Sequence, residues 1–185
     1  MSTEPITITP DFVWPEPDAN GDRTLANGAV IGQYALIVQG AVIRRGAVIE
    51  QYACIGQGAV IRRGACIEQY ARIGRGAGIG PHARIGQGAV IGQGAVIGRG
   101  AVIGQGARVG PNARWIACVG FADGYYKDLC AVGDVAYIGA GCRWFTLGEA
   151  LRHWGGHEED RQDTLDLMQA AVAIAKRRGL KLEKA

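Results

Sequence analysis

Residues 29–46 read AVIGQY-ALIVQG-AVIRRG, and the same six-residue pattern runs without interruption to residue 112. Each of the fourteen hexads begins with alanine, and the third position is isoleucine in all but the last, where Val109 stands. Because side chains alternate across a β-strand, alanine and isoleucine face one side and the second residue faces the other. The pattern therefore predicts short strands with an apolar inner side.

The last three positions of each hexad are rich in glycine, glutamine and arginine, and they predict turns. Glycine, histidine or asparagine at the sixth position tolerates a positive φ. Three strand-turn units make a coil of eighteen residues, and stacked coils bury a column of isoleucine and alanine. We predict an all-β solenoid of about five triangular coils over residues 29–118.

The motif I-G-Q-G-A-V, as at residues 91–96, resembles the hexapeptide-repeat family of left-handed parallel β-helices. The resemblance covers residues 29 to about 118. It implies a left-handed solenoid and a parallel homotrimer. It also implies kinship with the trimeric acyltransferases of this family, which act between subunits with a histidine as general base.

The chain outside the repeat has a different composition. Residues 1–28, with Trp14 followed by P-E-P-D-A-N-G-D, predict an irregular lid over the open first coil. Residues 119–185 predict a small α+β cap. A hairpin is expected over residues 125–132 and 135–142, with its turn at Gly133-Asp134.

Two helices should complete the cap. Thr146 begins T-L-G-E, a capping box for a helix that ends near Trp154. A second helix is expected from about Glu158 to Arg178, stopped by Gly179. Its predicted buried stripe is Leu165, Met168, Val172 and Ala175. The segment G-C-R-W-F-T-L-G-E-A, residues 141–150, resembles the tail of hexapeptide-repeat proteins encoded by phages and prophages, which implies a viral setting without a chemistry.

Residues eighteen apart should lie one above another, which gathers the unusual side chains at two corners. One corner stacks tyrosines and glutamates, and another stacks pairs of arginines. Like charges stacked at strand spacing are unfavourable unless a partner opposes them. The candidate ligand-binding residues are Tyr34, Tyr52, Tyr70, Glu50, Glu68, Arg44, Arg45, Arg62 and Arg63.

Two interpretations of these corners stay open. In a trimer, the arginine corner of one copy would face the glutamate and tyrosine corner of the next and fix the register. Alternatively, arginines and tyrosines would line clefts that hold a small anionic ligand, with guanidinium groups on the anion and a ring against a base or sugar. Outward second positions favour assembly, because contiguous apolar strips mark interfaces. These positions are Val30, Leu36, Val42, Val48, Val60, Val90, Val96 and Val102.

Catalysis has weak support in the sequence. His82, in I-G-P-H-A-R-I-G, replaces the glycine or asparagine found at the same position of other hexads. It becomes a candidate catalytic base only if the protein is an acyltransferase, with CoA as donor. No insertion interrupts the repeat to fold over such a donor. His153 and His157 are separated by Gly155-Gly156, so we expect neither a metal site nor another cofactor.

Charge and targeting signals limit the possible partners and the cellular location of the protein. Residues 29–118 contain ten arginines, two glutamates and neither lysine nor aspartate, a formal charge of +8. Nucleic acid is nevertheless an unlikely partner, because few aromatic residues interleave with the arginines. The five cysteines form no C-x-x-C pair, and no apolar stretch indicates a membrane span or a secretion signal. We expect a cytoplasmic protein, in the host cytoplasm if phage-encoded.

The function favoured by the sequence is a non-catalytic trimer that binds a nucleotide-like anion between subunits and sequesters a host signal. The alternatives are a hexapeptide-type acyltransferase and a purely structural or assembly protein.

Overall fold

A computed structural model describes residues 4–140, 143–155 and 162–183 of the chain. The repeat forms a β-solenoid of parallel two-residue strands arranged in three sheets, as predicted. Residues one coil apart pair with each other, as Val48 does with Cys66 and Ile49 with Ile67. The eighteen-residue coil is therefore confirmed.

The three sheets are lettered A, B and C here. Sheet A contains, in spatial order, β1 (Ile6–Thr7), β5 (Val42–Ile43), β8 (Val60–Ile61), β11 (Gly78–Ile79), β14 (Val96–Ile97), β17 (Arg114–Ala122), β18 (Tyr125–Val132), β19 (Val135–Ala140) and β20 (Arg143–Thr146). Sheet B contains β15 (Val102–Ile103), β12 (Arg84–Ile85), β9 (Cys66–Ile67), β6 (Val48–Ile49), β3 (Val30–Ile31) and β2 (Arg23–Thr24). Sheet C contains β16 (Arg108–Val109), β13 (Val90–Ile91), β10 (Arg72–Ile73), β7 (Cys54–Ile55) and β4 (Leu36–Ile37).

The interior of the solenoid is the predicted column of alanine and isoleucine. Every third-position residue from Ile43 to Val109 is at most 3% exposed. Burying one such side chain stabilises a fold by about 1.5–3 kcal/mol. No single coil could hide these side chains, so the coils are stable only when stacked.

The segment before the coils, expected to be irregular, contains two short strands. Strand β1 pairs antiparallel with β5, and β2 pairs antiparallel with β3. Phe12 and Trp14 contact each other edge to face, with ring centroids 4.9 Å apart, and pack against the first coils. These contacts cover part of the open end of the solenoid.

The C-terminal part contains a four-stranded antiparallel sheet, β17 to β20, and two helices, α1 (Leu147–Gly155) and α2 (Gln162–Arg177). The hairpin turn at Gly133-Asp134 is confirmed, although β19 ends at Ala140 and residues 141–142 lie outside the described ranges. Strands β17 and β20 were not predicted. No helix within the described ranges is long and apolar enough to cross a membrane.

Helix α2 differs from its prediction in its buried face. The expected start near Glu158 falls among residues 156–161, which lie outside the described ranges. Met168 and Ala175 are buried as predicted, but Leu165 and Val172 are only half-buried. Thr164 and Ala171 are buried in their place. Because α2 packs on both α1 and β17, its buried face is rotated about the helix axis relative to the stripe that the sequence predicts.

Three aromatic rings of the C-terminal sheet lie on the glycines that begin the last turn between each pair of sheets, Gly98, Gly104 and Gly110. A Cβ atom added at Gly98 would lie 2.7 Å from the Trp115 ring, and one at Gly104 would lie 3.1 Å from the Tyr126 ring. A Cβ atom at Gly110 would lie 3.2 Å from the Trp144 ring. A side chain at Gly98 would therefore clash with the Trp115 ring, and one at Gly104 or Gly110 would force its ring to shift by a few tenths of an ångström.

Candidate functional site

The turns that join one sheet to the next stack above one another and form three corners of the solenoid. The candidate residues lie at two of these corners. The Arg corner joins sheet A to sheet B and consists of residues 44–46, 62–64, 80–82 and 98–100. The Tyr corner joins sheet B to sheet C and consists of residues 32–34, 50–52, 68–70, 86–88 and 104–106. The Gly corner joins sheet C to sheet A and consists of residues 38–40, 56–58, 74–76, 92–94 and 110–112.

The Tyr corner carries the predicted column of rings. Tyr34 stacks on Tyr52 and Tyr52 on Tyr70, with centroids 5.1 Å apart in both pairs and interplanar angles of 21° and 5°. All three rings are exposed. Their φ angles are 59–61°, in the left-handed region that other coils fill mainly with glycine. A non-glycine residue there is strained by about 1–3 kcal/mol, so the column is maintained against a local cost.

The two glutamates of the Tyr corner are held by the coil that follows them. The carboxylate of Glu50 accepts a hydrogen bond from the backbone N–H of Gln69 at 3.2 Å, and that of Glu68 accepts one from the backbone N–H of Gln87 at 3.1 Å. Glu68 also pairs with Arg84 Nε at 3.3 Å, across sheet B. The carboxylates therefore point in a fixed direction along this edge.

The Arg corner has no such internal compensation. Arg44, Arg45, Arg62 and Arg63 are exposed, and none of them takes part in the three ion pairs formed among the described residues. Four guanidinium groups lie in two stacked rows at one edge of the solenoid. No carboxylate among residues 4–140, 143–155 and 162–183 pairs with them, so a counter-charge from solvent ions or a partner would relieve their mutual repulsion.

The Arg and Tyr corners are the two edges of the same sheet. Strand β6 lies between Arg44-Arg45 on one side and Glu50-Gln51-Tyr52 on the other. Strand β9 lies in the same way between the second arginine pair and Glu68. Within one chain, the two corners are separated by the length of one strand segment with its flanking residues, roughly 15 Å. The nine predicted residues thus form two separate rows and do not share a pocket. Arg44-Arg45 lie in the same coil as Glu50 and Tyr52, and Arg62-Arg63 lie in the same coil as Glu68 and Tyr70.

His82 occupies the Arg corner one coil beyond Arg63. It is exposed, has φ 57°, and its backbone amide donates to the Arg63 carbonyl at 2.9 Å. Its ring lies over Gly64, where an added Cβ atom would be 2.6 Å from Nδ1. No side-chain hydrogen bond orients the ring among the residues that the structure describes. His82 therefore lies in a turn, and its imidazole is accessible to solvent.

One cavity that the sequence did not predict lies in the C-terminal part. It has a volume of about 350 Å³ and is lined by Asp123, Tyr125, Lys127, Ala140, Arg143, His153 and Trp154. The only available signal was the pair Lys127-Asp128 inside an otherwise apolar strand. His157, weighed above as a metal ligand, lies outside the described residues. Clusters of three or more His, Cys, Asp or Glu suited to a metal are absent from residues 4–140, 143–155 and 162–183.

Part of the repeat matches a known protein family. Residues 64–99 and 82–114 match the family described as bacterial transferase hexapeptide (six repeats). No curated protein sequence matches the chain.

Several solved structures are similar to it. The acetyltransferase domain of PglB from Neisseria gonorrhoeae FA1090 is 28% identical over 54% of this chain and 47% of its own, with a TM-score of 0.30. A hexapeptide transferase family protein from Anaplasma phagocytophilum is 18% identical over 88% of this chain and 92% of its own, with a TM-score of 0.35. PerB from Caulobacter crescentus, in complex with CoA and GDP-perosamine, is 22% identical over 48% and 54%, with a TM-score of 0.25. The chain spans about half the length of the PglB and PerB structures that it matches.

Proposed function

We propose that this protein, a member of the hexapeptide-repeat family, assembles as a parallel trimer and binds a nucleotide-like anion in the clefts between its copies. The observation that carries the proposal is the Arg corner. Its four guanidinium groups have no carboxylate partner within the described chain, while two glutamates and three tyrosines line the opposite edge of the same sheet.

The order of the corners selects one packing. If sheet A faced a threefold axis, the Arg corner of one copy would meet the Gly corner of the next. If sheet C faced it, the Tyr corner would meet the Gly corner. Only with sheet B on the axis does the Arg corner of each copy meet the Tyr corner of its neighbour. A parallel arrangement then sets Arg44 and Arg45 level with Glu50 of the next copy, because both flank β6.

The charges in such a cleft do not balance. Four arginines would face two glutamates, and Glu68 already has Arg84 as a partner. Positive charge removed from water without a counter-charge is destabilising, so an anion that enters the cleft is favoured. Guanidinium groups bind phosphate in a planar, bidentate way, and the exposed tyrosine column supplies flat surface for a ring. These features support a nucleotide-like ligand, three per trimer.

The ligand proposal is tested by removing half of the arginines. Native mass spectrometry of the wild-type protein reports the number of copies and any retained molecule. Titration with pyrophosphate and with ADP should raise the Tm, since a ligand at about 100 times its Kd stabilises by about 2.7 kcal/mol. The variant Arg44→Ala/Arg62→Ala should lose that rise and remain a trimer, because Arg45 and Arg63 still face the glutamates.

The matched control is Arg72→Ala/Arg108→Ala, which removes the same charge from sheet C and should keep both the trimer and the response. If the Arg44→Ala/Arg62→Ala variant is monomeric, the corner serves assembly, and the purely structural reading is favoured. If wild-type protein responds to neither anion, the binding proposal is wrong.

A second candidate is an acyltransferase with CoA as donor, favoured by the family description and by the place of His82 on the Arg corner. In that case the imidazole would take the proton from an acceptor amine or hydroxyl as it attacks the thioester carbonyl. The carbon–sulfur bond would then break, and CoA would leave as the thiol after receiving that proton. Transfer or hydrolysis of acetyl-CoA that disappears in His82→Ala but persists in His153→Ala would favour it. The absence of any turnover above that of His82→Ala would exclude it.

A further inference from the structure

The cavity of the C-terminal part lies where the β17–β18 turn, the start of β20 and the end of α1 meet. Its volume of about 350 Å³ is at the lower end of the 300–1,000 Å³ range typical of small-molecule sites. Its lining residues come from segments more than thirty residues apart in sequence, Asp123 to Trp154. The tertiary fold therefore assembles this cavity, and it is separate from the Arg and Tyr corners.

Lys127 is the most unusual residue of the lining. Its side chain is 1% exposed, and its Nζ donates to the carbonyl oxygens of Ala122 at 2.7 Å and Tyr125 at 3.4 Å. Burial lowers the pKa of Lys127, and the nearby carboxylate of Asp123 opposes that effect. Asp123 itself accepts a hydrogen bond from the Thr164 hydroxyl. The ammonium group is thus buried with carbonyl partners and no ion pair among the described residues.

A second cation, Arg143, faces the same space and takes part in none of the ion pairs formed among the described residues. Arg143 Nη1 lies 3.4 Å from His153 Nε2. Because a guanidinium group only donates, this contact is a hydrogen bond in the tautomer of His153 whose Nε2 carries no proton. Phe145 stacks on the His153 ring, with centroids 5.4 Å apart. Arg143 therefore keeps its charge and most of its donors available to the cavity.

The charges of the described lining residues indicate what the cavity favours. Lys127 and Arg143 contribute two positive charges and Asp123 one negative charge. We infer that the cavity binds a small organic molecule carrying one carboxylate or phosphate group, which would accept hydrogen bonds from Arg143. Tyr125 and Trp154 supply apolar walls, so the group should be attached to an aromatic or aliphatic body.

The inference is tested with benzoate, its neutral analogue benzamide, and inorganic phosphate, by isothermal titration calorimetry and by the shift of the Trp154 indole N–H signal. Wild-type protein should bind benzoate at least about tenfold more tightly than benzamide, as expected for a charge-assisted hydrogen bond of about 1.4 kcal/mol or more. Arg143→Gln should weaken benzoate binding by about tenfold or more. A stronger response to phosphate than to benzoate would identify phosphate as the preferred group.

Arg177→Gln removes the same charge from the exposed end of α2 and should leave benzoate binding unchanged. The Arg44→Ala/Arg62→Ala variant should bind benzoate normally, which separates this site from the clefts proposed above. Near-ultraviolet circular dichroism checks that Arg143→Gln keeps its fold. The inference is overturned if wild-type protein binds neither benzoate nor phosphate at about 10 mM, or if a folded Arg143→Gln binds them as well as wild type.

Discussion

Asp128 carries a pH-dependent contribution to stability. It is buried, and its carboxylate accepts a hydrogen bond from the Trp115 indole at 3.1 Å. Burial raises the pKa of Asp128 from 3.8 to about 6, and the Trp115 hydrogen bond opposes only part of the rise. Between these two values the folded protein binds the proton that the unfolded chain has lost. The contribution to stability is therefore complete below pH 3.8 and is lost as pH rises through 6.

We predict that Asp128→Asn stabilises the protein near neutral pH. Asparagine has the shape of the protonated acid and can still accept from Trp115, but it carries no buried charge. At pH 7 the free energy of unfolding should rise by about 2–3 kcal/mol over wild type, and at pH 4 the two proteins should be nearly equal. Urea unfolding at pH 4, 5.5 and 7 measures the difference. The exposed Asp11→Asn is the control, and a gain that does not vary with pH would contradict this account.

At the scale of the element, the start of α1 is fixed by a reciprocal capping box. The Thr146 amide and hydroxyl donate to Glu149 Oε2 at 2.7 and 2.8 Å, and the Glu149 amide donates to the Thr146 hydroxyl at 3.2 Å. Thr146→Ala should therefore lower the free energy of unfolding by about 1 kcal/mol. Thr146→Ser keeps the hydroxyl and should lie close to wild type. Equal losses for both variants, by thermal or urea unfolding, would mean that the threonine methyl group matters instead.

The elements differ in how far the sequence predicts them. The coils were predictable because one hexad fixes strand, turn and inner side chain together, and the spacing of eighteen then fixes the register. Strand β17 was missed because two irregularities, between Trp115 and Ala117 and between Cys118 and Gly120, interrupt its alternation. Strand β20 is short and precedes a helix directly.

The candidate site was predictable only in part. The tyrosine column follows from the repeat. The proposed partner of the Arg corner is a second copy of the chain, and the position of that copy cannot be derived from a single sequence. The cavity around Lys127 could not be found from sequence, because its residues come together only through the antiparallel sheet and α1.

At the scale of the whole molecule, the proposed packing singles out one of three faces. Val48 on sheet B and Leu36 on sheet C both point outward, with 37% and 59% of their surface exposed. If sheet B lines the threefold axis, Val48→Lys buries three uncompensated charges there, at several kcal/mol each, and the trimer should dissociate. Leu36→Lys should remain trimeric.

Sedimentation equilibrium of the two variants measures this difference. A trimer that survives Val48→Lys but not Leu36→Lys would move the interface to sheet C, and it would remove the basis for clefts between the Arg and Tyr corners.

The three rings seated on Gly98, Gly104 and Gly110 also bear on how the molecule grows. A repeating coil has no intrinsic length, and an open last coil would be a template for another chain. With a ring over every corner and sheet A continued beyond β14 by the antiparallel strands β17 to β20, axial polymerisation into fibres is obstructed at that end. At high protein concentration, the solenoids should then associate side by side, through the sheets and corners that carry the exposed valines and the charged residues.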